Sequence, residues 1–243
     1  MCTNEFIDIH THILPGVDDG AGNMVQTVQM LLHAKQQGIK TIIATPHYAC
    51  GAENKPVTVL LELQEQVQME ASRLNMEVQI LLGNELYYSD GILKALETGE
   101  ALTLAASRYI LVEFSLGESY QTIYRGLGQL ILAGYVPILA HAERYHCLRK
   151  KEERIKDIIN LGACIQMNSA SLLGGFFNRE AVYNKKLVKK GLVHFIASDC
   201  HNTRHRPPKM KDIYKNLEKS INSALLKRII MENPIKILED KYI

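Results

Sequence analysis

Histidines at positions 10 and 12 end an apolar, β-prone run, Phe6-Ile7-Asp8-Ile9. On an extended strand, residues two apart point the same way, so both imidazoles can reach one point in space, as a metal ion requires. Further nitrogen and oxygen donors follow other apolar runs: His47, Glu85, Glu113, His141, Asn168, and Asp199 with His201. Taken singly, a histidine after a strand is more often a hydrogen-bonded structural residue, whereas an unpaired carboxylate there is expensive. Taken together, carboxylates crowded at one place repel each other unless cations lie between them. A cluster of metal ions resolves that repulsion. Mixed imidazole and carboxylate ligands suit Mn, Fe, Zn or Ni rather than Mg or Ca alone, and eight or nine ligands are too many for one ion, which implies two or three. Bridged ions of this kind serve phosphoester hydrolysis: one generates hydroxide and the others hold phosphate oxygens.

Two arginines lie close to these donors, Arg144 three residues after His141 and Arg206 five after His201. A guanidinium grips phosphate bidentately, and the stiff Pro207-Pro208 pair follows Arg206, so both are candidates for binding a substrate phosphate. Cys200 and Arg206 also spell C-x5-R, the pattern of thiolate phosphatases, but the residues between them, His-Asn-Thr-Arg-His, contain no glycine to form an amide cradle. Cys200 alternates with Asp199 and His201 and is expected to point away from the metals. One of Asp18 and Asp19 is expected to stabilise its turn. Asn168 is expected to hydrogen-bond backbone or a metal ligand, and Thr45 and Ser198 are read as structural.

The elements that would position these groups alternate along the chain. Strands are expected at 6–9, 41–44, 78–82, 109–112, 136–140, 163–167 and 193–197. Helices are expected at 24–37, from Pro56 to about residue 74, and at 92–97. Further helices are expected around Ile123 to Ile131 and Ile155 to Ile159, and at about 179–190. The tail, 209 to about 232, reads as two amphipathic helices. Short apolar strands alternating with helices imply parallel pairing, and seven repeats predict a distorted, TIM-like (β/α)7 barrel of the α/β class. In such barrels the site lies at the C-terminal ends of the strands, where these donors fall. The 243 residues are read as one domain, 1–243. A net charge of +2 gives no global argument for nucleic acid, although basic residues cluster at Lys185-Lys186, Lys189-Lys190 and from Arg204 to Lys211. No apolar leader is expected, since a strand begins within about five residues of Met1, and no run comes near the ~18 residues of a membrane span. Five scattered cysteines without a CxxC suit a reducing cytosol, so a cytoplasmic protein is expected.

The combination His-x-His, His47, Glu85, Glu113, His141 and Asp-x-His resembles the PHP (polymerase and histidinol phosphatase) superfamily. Residues 8–21, Asp-Ile-His-Thr-His-Ile-Leu-Pro-Gly-Val-Asp-Asp-Gly-Ala, are similar to the bacterial PHP-type tyrosine phosphatases of capsule and exopolysaccharide gene clusters. So are Ala44-Thr45-Pro46-His47-Tyr48, Gly83-Asn84-Glu85-Leu86, His141-Ala142-Glu143-Arg144-Tyr145, and Ser198-Asp199-Cys200-His201 with Arg206-Pro207-Pro208. The resemblance covers essentially the whole chain. It implies a PHP-fold barrel with a trinuclear, usually manganese-dependent site. One ion would be held by His10, His12, Glu85 and Asp199. Glu85 would bridge to a second, held with Glu113 and His141. Asp19, His47 and His201 would hold the third, the choice of Asp19 over Asp18 resting on the motif alone. Arg144 and Arg206 would bind the phosphate of a phosphotyrosine protein, a tyrosine autokinase that controls polysaccharide export. A metal-bridged hydroxide would attack phosphorus in line, with no phosphoenzyme. Ala142 stands where the family usually has Pro, a departure expected to loosen the Arg144 loop. Two alternatives keep the barrel: a small-molecule phosphatase of the histidinol-phosphatase type or a nuclease, and a catalytically idle regulatory binding module.

Overall fold

The computed structural model describes residues 5–174 and 177–243. Among the described residues, nine strands form where seven runs are expected, all paired in parallel. Strand β1 (Phe6–Thr11), β2 (Ile39–Ala44) and β4 (Gln79–Leu82) make one ladder, in the order β1-β2-β4. Strand β3 (His47–Ala49) heads a second ladder, followed by β5 (Glu85–Tyr87), β6 (Tyr109–Glu113), β7 (Val136–Leu139), β8 (Cys164–Asn168) and β9 (Phe195–Ala197). The extra strands arise because the second and third runs each break and resume. Pro46, which has no N–H to donate, interrupts the first break. The second break falls at Gly83-Asn84. Asn84 stitches the gap, its Nδ2 donating to Pro46 O at 2.9 Å and its Oδ1 accepting from Leu102 N at 2.8 Å. A continuous seven-strand ladder is therefore not what the hydrogen bonds make. The first and last strands meet at one bridge, Thr11 to Cys200, with His12 N donating to Cys200 O at 2.8 Å.

Helices follow the strands: α1 (Met24–Gln36), α2 (Val57–Arg73), α3 (Ile92–Glu97), α4 (Tyr120–Leu132), α5 (Glu152–Leu161) and α6 (Arg179–Lys189). Asn23, Ser119 and Asn178 cap α1, α4 and α6, each side chain accepting an N–H of the first turn. Pro56 sits just before α2, at its cap position, rather than inside the first turn. The tail holds α7 (Met210–Leu217), α8 (Ser223–Lys227), a π-helical turn over residues 228–232 and a further helix α9 (Asn233–Leu238) beyond the two expected. The outward faces of the strands pack on the helices. Their inward faces form a separate cluster that includes Ile7, Ile9, Ile43, Leu111, Ile138 and Phe195.

The register of β1 explains how its histidines are aimed. Asp8 pairs with Ile42 and Thr11 with Ala44, so three steps on β1 match two on β2. That extra residue is a bulge. Ile7 and Ile9 face the inner cluster, and without the bulge Thr11 would follow them inward. With it, His10 and His12 turn in, both buried.

Candidate metal centre

His10, His12, Asp19, His47, Glu85, Glu113, His141, Asp199 and His201 converge at the C-terminal ends of the strands. His10 Nε2 lies 3.0 Å from Glu85 Oε2 and 3.4 Å from Asp199 Oδ1, and His12 Nε2 lies 3.2 and 3.6 Å from the same atoms. His141 Nε2 is 2.9 Å from Glu85 Oε1 and 3.4 Å from Glu113 Oε2. His47 Nδ1 is 3.3 Å from Glu85 and 3.2 Å from Glu113, while its Nε2 is 3.4 Å from Asp19 Oδ1. His201 Nε2 is 3.3 Å from that same Asp19 oxygen. His47 and Glu85 do not trail off strands as expected but start the resumed strands β3 and β5, where they pair in register.

Three sets of donors lie within 4.8 Å of one another: His10, His12, Glu85 and Asp199; His47, Glu85 and Glu113; and His12, Asp19, His47 and His201. Relative to the grouping implied by resemblance, His12 also reaches the Asp19 set, and the Glu85–Glu113 set contains His47 rather than His141, which touches both carboxylates but belongs to none of the three sets. The spacing suits cations. A first-row divalent ion with donors at about 2.0–2.2 Å sets neighbouring donors about 3 Å apart when they stand at right angles. His201 Nε2 and Asp199 Oδ1 are also buried without a hydrogen-bond partner. Orphaned groups of this kind need an explanation, and a bound ion supplies one.

Charge points the same way. Burial alone would raise the Glu85 carboxyl, but the charge and hydrogen bonds of His10, His12 and His141 hold it well below the usual range. Burial would lower His12 and His141; hydrogen bonds to carboxylates, Asp18 and Glu85 for His12 and Glu113 and Glu85 for His141, lift each to about 10. The carboxylates thus demand positive charge, which protons on imidazole or metal ions can supply in exchange.

The donors are held by a further set of side chains. Asp18 Oδ2 lies 2.7 Å from His12 Nδ1 and accepts from His47 N at 3.2 Å, and its Oδ1 accepts from Gly20 N at 3.0 Å. Its side chain is 8% exposed against 64% for Asp19, so Asp18 orients the turn and His12 while Asp19 faces the centre. Gln166 carries no expected role, yet its Oε1 accepts from His141 N at 2.6 Å and lies 3.4 Å from His10 Nδ1. A proton held on His10 Nδ1 leaves Nε2 bare toward Glu85 and Asp199. Gln166 Nε2 donates to Asn168 Oδ1, and Asn168 Nδ2 donates to Asp199 Oδ2 at 2.7 Å. Its signal in the sequence was a long polar side chain inside an otherwise apolar run. His141 and Asp199 have φ of +34° and +52°. Left-handed backbone at non-glycine residues is strained and gathers at functional sites.

Arg144 and Arg206 stand at the rim, both part-exposed. Arg206 Nη2 donates to Asp199 Oδ2 at 2.6 Å, and Arg144 Nη1 lies 3.9 Å from the same oxygen. Cys200 is buried in the outer core, and burial pushes its thiol well above the ordinary range. A thiol buried in this way is a poor candidate for a thiolate nucleophile.

Residues 6–239 match the family described as capsular polysaccharide synthesis, CpsB/CapC. The chain belongs to this family. It is 36% identical over 242 residues to the tyrosine-protein phosphatase CpsB of Streptococcus pneumoniae, covering 98% of this chain and 100% of that one. It is 33% identical over 219 residues to the tyrosine-protein phosphatase YwqE of Bacillus subtilis, covering 90% and 86%. A crystal structure from work on YwqE and CpsB, described there as unique metal-dependent tyrosine phosphatases, superposes with a TM-score of 0.90 at 32% identity, covering 98% and 96%. The Escherichia coli phosphotriesterase homology protein shares the fold, with a TM-score of 0.62 at 12% identity over 98% of this chain and all of that one.

Proposed function

We propose that the protein is a metal-dependent protein-tyrosine phosphatase of capsular polysaccharide synthesis. The observation that carries this reading is the convergence of nine imidazole and carboxylate donors with two rim arginines, in a family whose relatives are tyrosine-protein phosphatases. The proposed ligands are His10, His12, Asp19, His47, Glu85, Glu113, His141, Asp199 and His201. These residues would hold the ions, and the chemistry the ions would supply is acidification of a water and neutralisation of phosphoryl oxygens. Arg144 and Arg206 grip the same phosphoryl group. Both now lean on Asp199 Oδ2, so they are poised above the centre and can trade that contact for phosphate oxygens that gain charge in the transition state.

Finer points extend the proposal. The mixed donor set suits Mn2+, in two or three ions, with Fe, Zn or Ni as alternatives. The substrate is the phosphotyrosine of a bacterial tyrosine autokinase, which places the enzyme in the cytoplasm, where ATP supplies such a kinase. Among the described residues no helix is long and apolar enough to cross a membrane. The two ladders, linked at Thr11 and Cys200, are read as one distorted (β/α)7 barrel forming a single domain over residues 1–243.

The test is hydrolysis of a phosphotyrosyl peptide by the protein as purified, after chelation, and after Mn2+ is restored. Expected are loss, recovery, and indifference to Cys200→Ser. Replacing both Arg144 and Arg206 by Ala should cost about 10²–10³ in kcat/KM, on the scale of a lost transition-state donor. Turnover that survives chelation but disappears in Cys200→Ser would overturn the reading.

A further inference from the structure

Strand register builds two layers at the donor end of the strands. His47, Glu85 and Leu111 lie side by side on β3, β5 and β6; one layer outward, Ala49, Tyr87 and Glu113 lie side by side. Residues in register on neighbouring strands share a face, and residues two apart on one strand share it too. Tyr87 therefore stands on the face of Glu85, two residues (about 6–7 Å) nearer solvent. Its neighbour on one side is Glu113, whose carboxylate reaches His47 and His141. On the other side is Ala49, whose side chain is a single methyl group.

Tyr87 differs from the tyrosines around it. Tyr48 is buried. Tyr88 stacks on Phe114 and hydrogen-bonds Gln129. Tyr87 is 42% exposed, and among the described residues its side chain makes no hydrogen bond or ring contact. It is a large aromatic surface with no structural employment, beside a site that needs one. A phosphate on the centre places its ester oxygen and the attached group in the next layer out, which is the layer of Tyr87.

We propose that Tyr87 is a specificity-determining residue whose ring flanks the aryl ring of the substrate in a slot above the small Ala49 side chain. The inference rests on the phosphatase reading and adds what selects an aryl ester. Aromatic pairs prefer offset or edge-to-face contact and contribute beyond simple burial.

The test uses the metal-loaded enzyme turning over a phosphotyrosyl peptide, with inorganic phosphate and phenylphosphonate as competitive inhibitors. The two differ by the ring. Wild type should favour phenylphosphonate, and Tyr87→Ala should cut that preference by about 3- to 10-fold, the range of one aromatic contact. Tyr87→Phe, which keeps the ring, should restore it. Ala49→Leu, which fills the slot, should cut the preference as Tyr87→Ala does. A purely structural role would weaken both inhibitors equally and leave their ratio unmoved. An unmoved ratio in Tyr87→Ala, with peptide turnover intact in wild type, overturns this inference alone. Absence of peptide turnover in metal-loaded wild type overturns the phosphatase reading and this one with it.

Discussion

Gln166 faces two site histidines at once, accepting from the His141 backbone and lying beside His10 Nδ1, while its amide passes through Asn168 to Asp199. Gln166→Leu leaves a buried N–H unsatisfied and removes the acceptor that fixes the His10 tautomer. Second partners of this kind are each worth about 10- to 100-fold in metal affinity or activity, and metal titration of the variant should show that loss. Equal metal affinity in both proteins would remove Gln166 from the site. Residue types showed where donors gather, because His and Glu after apolar runs are visible in one dimension. They pointed to Asn168 and to the Asp18-Asp19 turn but not to Gln166 or to the contact of Asp18 with His12, which the chain makes only when folded. A second residue gives a pH prediction. His194 Nδ1 accepts from Ile165 N at 3.0 Å, which requires a neutral ring, and burial followed by the Arg228 charge pushes it down to about 4. A folded value below the unfolded 6.5 means its stability contribution is full above pH 6.5 and is lost as pH falls toward 4. The loss is at most about 3 kcal/mol, from 1.36 kcal/mol per unit. Urea unfolding at pH 7 and pH 4.5 should show wild type losing ground to His194→Gln. Parallel pH profiles would exclude His194 as a source of acid sensitivity.

Elements carry the site through their irregularities. The bulge in β1 turns His10 and His12 inward, and the breaks after β2 and β4 let His47 and Glu85 restart strands beside each other. The turn after β1 must come close as well. Its Ala21 N donates to His12 O at 3.1 Å, and a Cβ at Gly20 would lie 2.1 Å from His12 O and 2.5 Å from His12 Cβ. Gly20 is needed for that close approach of backbones rather than for its φ. Gly20→Ala should cost about 1–3 kcal/mol of stability, the usual price of overpacking, and displace His12 or the Asp18-Asp19 turn. Thermal unfolding and bound-metal content should fall together; an unchanged metal content would place the strain elsewhere. The seven apolar runs were legible because alternation with helical periods survives without tertiary context. The breaks and the bulge were not, because three-residue strands such as His47–Ala49 have no period to read, and their register depends on Asn84 and on neighbouring strands.

At the scale of the molecule, stability and chemistry are concentrated at opposite ends of the strands. The tail closes the end remote from the donors. Ile237, fully buried in α9, packs with Leu238 into the inner cluster near Ile7, Tyr109 and Phe195, which lie at or near the starts of their strands. Beyond α9, Asp240 accepts from Arg108 N, Nε and Nη2 at 2.8–3.0 Å, and Lys241 O accepts from Tyr109 Oη at 2.7 Å. This closure was the least legible part of the fold, because α9 is only six residues long and directly follows the preceding helical turn. Ile237→Ala should leave a cavity costing about 2–5 kcal/mol. At about 2–4 °C per kcal/mol for a chain of this size, the midpoint should fall by roughly 4–20 °C. Because the donors and arginines lie at the other end, kcat and metal content at 25 °C should stay near wild type while the protein remains folded. Loss of metal at a temperature where the variant is fully folded would mean that the two ends are coupled. The inner cluster would then transmit strain from α9 to the β1 bulge that aims His10 and His12.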